Sequence, residues 1–407
     1  MINKMFPNVV HGNVAFIMLA TVLVFIMTPG LAFFYGGLVG KRNTLTIMLQ
    51  IFLSIGIVTV MWFLFGFSMV FGTDINGVIG NPFHYFALKG VVFSVNSKYG
   101  LTIPFLSFCM YQLMFAIITL PLMTGTIVNR IRISSWIKFL IIWMILVYFP
   151  VAHWVWGDGF LSKLSFVDFA GGTVIHATSA FSGLASVLIL GKREIDDKKP
   201  FNLGLVSIGA ALLMFGWFGF NAGGTLVAAE KSAIVFANTC FAGASAMITW
   251  SIVAYMKDKH FSFLEPLVGT VAGLATITPA SGYVNPIGAI IIGIIAGFAC
   301  FFCVQFIRKL NIDDTLDVLG VHGFGGFIGT LFIGIFADKY VNKISANVHQ
   351  ILIQLFGVCL VIVYSMVITF IIVKVLDKTC SNFRLTKEEL EKGLDESLLN
   401  ESYDIAD

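Results

Sequence analysis

The sequence predicts an all-α integral membrane protein in which eleven transmembrane helices form a 5+5 inverted repeat plus one extra helix. Three observations predict this fold class: the composition, the number of long apolar segments, and the recurrence of two short motifs. Of the 407 residues, 58% are hydrophobic and 12% are charged, whereas soluble domains contain about 25% charged residues. The composition is therefore typical of an integral membrane protein.

Eleven segments are apolar enough to cross a bilayer, which requires about 20 residues in a helix. The eighth segment is the shortest and is interrupted by glycine and proline. In chain order, the predicted helices are Val14–Gly37, Leu45–Phe71, Ile103–Met123, Trp136–Trp154, Phe169–Leu190, Leu203–Phe220, Ala233–Met256, Leu264–Thr278, Ile287–Ile307, Leu319–Ala337 and Ile351–Leu376.

Two motifs recur five helices apart. The first helix ends in "FFYGG" (Phe33–Gly37) and the sixth in "FGFNAGG" (Phe218–Gly224). The fifth carries "DFAGGTVIH" (Asp168–His176) and the tenth "DVLGVHGFGG" (Asp317–Gly326). Because five is odd, two such halves insert with opposite polarity, as they do in many transporters.

The loops on one side of the predicted bundle are rich in Lys and Arg, as at 40–43, 129–132 and 257–259. Basic loops favour the cytoplasmic side. We therefore expect a multi-pass protein of the cell membrane with its N-terminus outside. The transmembrane domain would span 1–376, and 377–407 would form a cytoplasmic tail.

Composition and motifs also argue against other classes of function. The net charge is +3, and basic residues do not cluster with exposed aromatics, so a nucleic-acid partner is not expected. Cys300 and Cys303 form a CxxC pair, but a metal site would need two further ligands nearby. We expect no metal and no cofactor.

Two histidines, His176 and His322, lie well inside predicted helices and in corresponding positions of the two halves. An ionisable group at that depth is costly and is usually functional. A lone buried histidine is more often a packing residue, but the matched pair favours a functional site. Two imidazoles can bond a small polar species and pass a proton between them.

Asp168 begins the fifth helix and has two interpretations. As an N-cap it would bond the free backbone N–H groups of the helix; alternatively, it could be a cation ligand. We expect a combination, in which a buried capping carboxylate supplies a field that favours a cation nearby. Asp317 before the tenth helix has the same two interpretations, and there a structural role is favoured.

Four aromatic residues are candidates for contact with a cation. Trp156 stands at the end of the fourth helix, Phe115 lies within the third, and Trp217 and Phe220 lie in the sixth. Most aromatics in such positions are membrane belt or packing. Aromatic faces also bind small cations with about 1–2 kcal/mol each, far less than the cost, on the order of 20 kcal/mol, of burying the ion. Aromatics could therefore recruit a cation but not carry it through the bilayer.

Several motifs of the sequence resemble those of a known family. The runs "TPGLAFFYGG", "AHWVWGDG", "DFAGGTVIH", "GWFGFNAGG", "FANT", "TPASGYV" and "DVLGVHGFGG", in this order, are similar to those of the ammonium transporter, methylammonium permease and Rhesus (Amt/Mep/Rh) family, and of its Amt branch in particular. The resemblance spans about 13 to 403. It implies eleven helices, a homotrimer, and one pore in each subunit.

The resemblance also implies roles for residues at the entrance. Trp156 and Phe115 correspond to the external site that recruits ammonium, and Asp168 to the acidic residue near it. Phe115 and Phe220 correspond to a gate of stacked rings. Gly224 stands where family members often have a serine, so one hydrogen-bonding group of the entrance is missing.

Deeper in the pore, His176 and His322 correspond to the family's twin histidines, and Trp217 to a pore-lining tryptophan. The tail resembles the family's pattern at Gly393–Asp395, Glu401 and Tyr403. Leu399 and Asn400 replace its usual His-Gly, which puts regulation by a PII-type signalling protein in question. The tail could instead be a solvated helix.

The function expected from this resemblance is ammonium transport, with methylammonium as an analogue and lipid as the surroundings. Ammonium would lose its proton near the gate, and ammonia would pass the histidines, with or without separate proton transfer. A membrane ammonium sensor that signals through its tail is the alternative. A membrane enzyme with His176, His322 and Asp168 as metal ligands is a third hypothesis, which no motif supports; we expect no enzyme.

Overall fold

The computed structural model describes residues 8–195 and 199–403, so the predicted end of the tail at 404–407 lies outside the described residues. The eleven predicted helices are all present there: ten are long and apolar enough to cross a membrane, and the eighth is a shorter apolar helix. Their bounds are α1 His11–Leu38, α2 Lys41–Phe71, α3 Phe105–Ile127, α4 Ile133–Trp143 continued by Met144–Tyr148 and Phe149–Trp156, α5 Gly172–Leu190, α6 Leu203–Ala222, α7 Glu230–Asp258, α8 Leu264–Ile277, α9 Pro286–Lys309, α10 Leu319–Phe336 and α11 Val348–Thr379.

Shorter elements accompany these helices. A helix, α12, spans Lys387–Lys392 in the tail. Two antiparallel hairpins lie between α2 and α3: β1 Asp74–Ile75 pairs with β2 Ile79–Gly80, and β3 Val95–Asn96 pairs with β4 Gly100–Pro104.

Helices α5 and α10 both begin with a wide π-helical turn, at Gly172–Ala177 and Leu319–Gly323. Such turns are rare and are frequent at functional sites. Each of these two turns carries one of the twin histidines, so the predicted repeat extends to the local backbone. We call the side of the bundle with Trp156 the mouth face and the side with the tail the tail face.

The two halves meet where α5 crosses α10. A Cβ atom at Gly326 would lie 2.3 Å from the carbonyl oxygen of Gly172, so only glycine lets the two backbones come this close. Next to this crossing, the hydroxyls of Thr173 and Thr330 are 2.9 Å apart. The seam between the halves is therefore tight at the depth of the histidines.

The tail packs against the bundle instead of forming a solvated helix. Asp395 is 2% exposed and accepts hydrogen bonds from the backbone N–H groups of Leu45 and Thr46, at 3.0 and 2.8 Å. Arg132 forms an ion pair of 2.6 Å with Glu389. The tail thus caps the start of α2, and the alternative of a solvated helix is wrong.

Candidate functional site

Asp168 holds the start of α5 by hydrogen bonds to four consecutive N–H groups. One oxygen accepts from Gly171 and Gly172, both at 2.8 Å, and the other from Thr173 at 2.7 Å and Val174 at 3.0 Å. Gly171 has φ +110°, a conformation that glycine adopts without strain and that turns the chain so that these N–H groups converge. The carboxylate is 4% exposed and fully occupied as a cap.

Trp156 and Phe115, the predicted recruiting pair, lie together on the mouth face. The Trp156 Nε1–H donates to the backbone oxygen of Asp168 at 2.8 Å, which fixes the indole relative to the start of α5. The Phe115 ring meets the indole edge-on with centroids 5.9 Å apart. A cavity of about 300 Å³ opens above them, lined by Phe71, Lys98, Tyr99, Phe108, Tyr111, Gln112, Phe115, Val155, Trp156, Phe169, Ala170, Gly224 and Leu226.

Below this cavity, the rings of Phe115 and Phe220, the predicted gate, lie against each other. Their ring centroids are 4.6 Å apart, but the planes are inclined by 53°, so the rings are tilted rather than stacked as the resemblance implied. The Tyr111 hydroxyl donates to the backbone oxygen of Phe220 at 2.8 Å and holds that segment in place. Sequence reasoning missed Tyr111, which lies four residues before Phe115.

Gly224, which stands where family members often have a serine, lines the same cavity. A Cβ atom there would be 3.2 Å from the Phe169 ring, tighter than an ordinary contact. In this chain the Phe169 ring therefore occupies space next to the position where a serine side chain would begin.

His176 and His322 meet below the phenylalanines. Their Nδ1 atoms are 3.2 Å apart, and their rings are nearly parallel at 21°. They are 1% and 5% exposed. The Trp217 ring stacks on His176 with centroids 5.4 Å apart, and its Nε1–H donates to the Thr278 hydroxyl at 2.8 Å.

The contact between the two Nδ1 atoms restricts where the protons can be. When both rings are neutral, one Nδ1 donates and the other accepts, so the free Nε2 of one ring is an acceptor and that of the other a donor. The Nε2 atom of His176 is buried and has no hydrogen-bond partner among the described residues. The adjoining cavity is about 10 Å³ and mostly apolar, the size that one water occupies.

On the tail face, His322 borders a second cavity of about 220 Å³, which Arg308 and Asp317 also line. Asp317 was predicted to correspond to Asp168, and this correspondence is wrong. Asp317 has φ +56° and pairs with Arg308, so its carboxylate points away from the helix start.

The residue that corresponds to Asp168 is Asp314. Its two oxygens accept from the N–H groups of Val318 and Leu319 at 3.1 and 2.6 Å. Asp168 and Asp314 each lie eight residues before their histidine, and this spacing could have identified the pair from the sequence. Because Asp168 lies beside Trp156 and Asp314 on the tail face, α5 and α10 begin on opposite faces, as an inverted repeat requires.

Asp314 has other carboxyl groups close by, whereas the carboxylate of Asp168 faces backbone N–H groups. Burial and the neighbouring Asp317 raise the pKa of Asp314 to about 7. Burial also raises the pKa of Asp317, although Arg308 opposes the shift. The adjacent Asp313 forms an ion pair of 2.8 Å with Arg130, which attaches this loop to the turn between α3 and α4.

The geometry does not support the hypothesis of a metal-dependent membrane enzyme. Asp168 directs both oxygens to backbone N–H groups, so its carboxylate has no coordination position left for an ion beside the histidines. The described residues contain no group of three or more His, Cys, Asp or Glu side chains arranged to hold a metal.

Comparison with known proteins agrees with this architecture. The sequence profile of the Ammonium Transporter Family matches residues 15–403. The chain is 43% identical to the ammonium transporter of Aquifex aeolicus, over 96% of this chain and 92% of the relative. It is 40% identical to the ammonium transporter Amt1 of Archaeoglobus fulgidus, over 94% and 97% of the two chains.

Solved structures give the same result. The crystal structure of Candida albicans Mep2 superposes with a TM-score of 0.88 at 34% identity, covering 96% of this chain and 89% of that one. A structure described as a sensor Amt protein has a TM-score of 0.87 at 30% identity, covering 95% and 97%. The relatives are transporters rather than enzymes, and this chain belongs to the ammonium transporter family.

Proposed function

We propose that the chain recruits NH4+ at the mouth, removes its proton there, and conducts ammonia past the twin histidines into the cytoplasm. The observation that carries this proposal is the His176 Nε2 atom, which is buried without a partner among the described residues beside a small apolar cavity. An unpartnered buried polar atom is costly. A small polar molecule passing through would supply the missing hydrogen bond.

Recruitment takes place at Trp156 and Phe115. Their ring faces attract a cation by about 1–2 kcal/mol each, while Asp168, occupied by N–H groups, acts through its field rather than by contact. Complete dehydration of the ion would cost on the order of 20 kcal/mol. Loss of the proton to water at the mouth avoids most of that cost.

Passage then requires the Phe115 and Phe220 rings to move, because they close the route in this conformation. Ammonia, which is neutral and small, crosses this apolar segment at much lower cost than the ion. It then meets His176, and after it His322, whose ring borders the tail-face cavity. For transport with separate proton transfer, the contact between the Nδ1 atoms is where a proton would pass from one imidazole to the other; transport without it leaves the proton outside.

Uptake of radiolabelled methylammonium into vesicles containing the purified full-length protein tests this proposal. Replacing Trp156 by Leu removes the indole face and its bond to Asp168, so the KM should rise while the maximal rate changes less. Gly56→Ala is a suitable control, because a Cβ at Gly56 would meet no described atom within 4 Å. An unchanged KM in the Trp156→Leu variant would overturn the recruitment step.

The sensor is the second candidate, and two observations favour keeping it: the likeness to the sensor Amt protein and the docked tail. A sensor would bind ammonium and change the tail without much flux. Vesicle uptake measured beside binding to the purified protein separates the two. We further propose a homotrimer with the tail in the cytoplasm, where a PII-type protein could bind it; cross-linking and co-purification test these points.

A further inference from the structure

Lys98 places a positive charge at the entrance to a route proposed for a cation. Its side chain is 47% exposed and lines the mouth cavity together with Trp156 and Phe115. The Lys98 Nζ lies 5.1 Å from the centroid of the Tyr99 ring and 2.7 Å from the Asp158 carboxylate. Its ammonium group therefore has one aromatic and one anionic partner.

The backbone positions these partners firmly. The Asn96 side-chain oxygen accepts from the N–H groups of Lys98 at 2.9 Å and Tyr99 at 3.1 Å, which fixes the turn between β3 and β4. The Tyr99 ring stacks on Phe108, with centroids 5.4 Å apart. The ring is held in this position independently of the lysine.

Two further features make this a site for a cation that donates hydrogen bonds. The Tyr99 hydroxyl oxygen is buried, and its side-chain partner is Lys98. Asp158 comes two residues after Trp156 in the sequence, and its carboxylate pairs with Lys98, which lines the mouth cavity. An aromatic face, a hydroxyl oxygen and a carboxylate are groups that bind an ammonium ion, and here the Lys98 ammonium contacts all three.

We propose that Tyr99 and Asp158 form an outer subsite for ammonium and short primary alkylammonium ions, and that the Lys98 ammonium occupies this subsite as a tethered competitor. The lysine side chain ends in the same primary ammonium group as methylammonium. Because an exposed ion pair is weak, the lysine leaves the site readily, and a free cation binds there in its place before reaching Trp156.

This inference rests on the proposed function, since it assumes that cations enter by this mouth. The test uses full-length protein in vesicles, with methylammonium as the probe and initial uptake rates as the readout. Lys98→Met removes the charge and keeps the length. It should lower the KM by about two- to fivefold, the range that an exposed ion pair can supply, with an unchanged maximal rate. Lys98→Arg should keep the wild-type KM.

A double-mutant cycle with Asp158→Asn separates competition from simple charge repulsion. If the lysine competes for the subsite, Lys98→Met should give little or no gain in the Asp158→Asn background. If the lysine only repels cations, the gain should persist there and should disappear at high salt, where exposed charges are screened. An unchanged KM for Lys98→Met, or the same gain in both backgrounds, overturns the proposal.

Failure of this inference is distinguishable from failure of the proposed function. The Trp156→Leu variant reports on recruitment at the aromatic site, and the Lys98 and Asp158 variants report on the outer subsite alone. If uptake depends on Trp156 but not on Lys98, only the subsite is refuted. If uptake is indifferent to Trp156, the proposed route itself is wrong.

Discussion

The starts of α5 and α10 are both capped by an aspartate, but the surroundings of the two caps differ. In both, an aspartate eight residues before the histidine bonds the first N–H groups of the helix. Asp168 accepts four such bonds in a buried site beside Trp156, whereas Asp314 accepts bonds from Val318 and Leu319 next to Asp317. Burial raises the pKa of both carboxyls, but at Asp314 the neighbouring Asp317 raises it further. The second cap is therefore the more sensitive to protonation.

The largest difference should appear when each cap is removed. Asp168→Ala leaves four buried N–H groups without their acceptor, at about 1–3 kcal/mol for each group that stays unpaired. Asp314→Ala removes fewer bonds, and a capping residue is typically worth about 1 kcal/mol. Melting temperatures of the purified variants in one detergent measure this. An equal loss at both sites would contradict the comparison.

The seam between the two helix starts provides the second prediction. In Gly326→Ala the new methyl group would meet the Gly172 carbonyl oxygen at 2.3 Å, so α10 must move away from α5, at about 1–3 kcal/mol. This movement separates His176 from His322, and methylammonium uptake should fall strongly. The Gly56→Ala protein should transport as the wild type does; equal uptake by both variants would show that the close approach is unimportant.

The pH dependence of stability should separate the two caps further. The pKa of Asp314 is raised to about 7 in the folded protein from about 3.9 when unfolded. Its protonated form therefore favours the fold, and this contribution is present below about pH 4 and is lost as the pH rises to 7. Asp314→Asn should remove that part of the slope.

Replacing the neighbour sharpens this result. Asp317→Asn removes one of the two causes of the raised pKa, so the part of the slope that belongs to Asp314 should move to lower pH. Melting temperatures between pH 4 and 8 report both effects, as differences from the wild type. If the melting temperature of Asp314→Asn depends on pH as the wild type's does, this carboxyl does not titrate between pH 4 and 8.

The smallest effect is expected at a third cap, which the tail supplies. Asp395 bonds the N–H groups of Leu45 and Thr46 at the start of α2. Asp395→Ala should loosen the tail with little effect on the melting temperature. Trypsin cleavage after Lys387 and Lys392, followed by mass spectrometry, should become faster; Glu401→Ala, at an exposed position, is the control and should be cleaved at the wild-type rate.

The sequence was sufficient to predict the eleven helices, because each is a long apolar segment, and the position of His176 and His322 in corresponding helices. It did not predict Asp314: aligning the motifs by their nearest aspartate selected Asp317, although the spacing of eight residues to the histidine points to Asp314. The π-helical turns and the docked tail depend on contacts between distant segments. The pairing of Lys98 with Asp158 does so as well, since sixty residues separate them.

The central claim concerns the passage beyond the mouth, and transport by the His176→Ala protein in vesicles tests it most directly. Methylammonium uptake should be measured with and without excess K+, beside the wild type. We expect uptake to be abolished, or to continue without selectivity over K+. The reason is that the variant lacks both the buried Nε2 atom and the contact with His322. Unchanged uptake with unchanged selectivity would contradict the account.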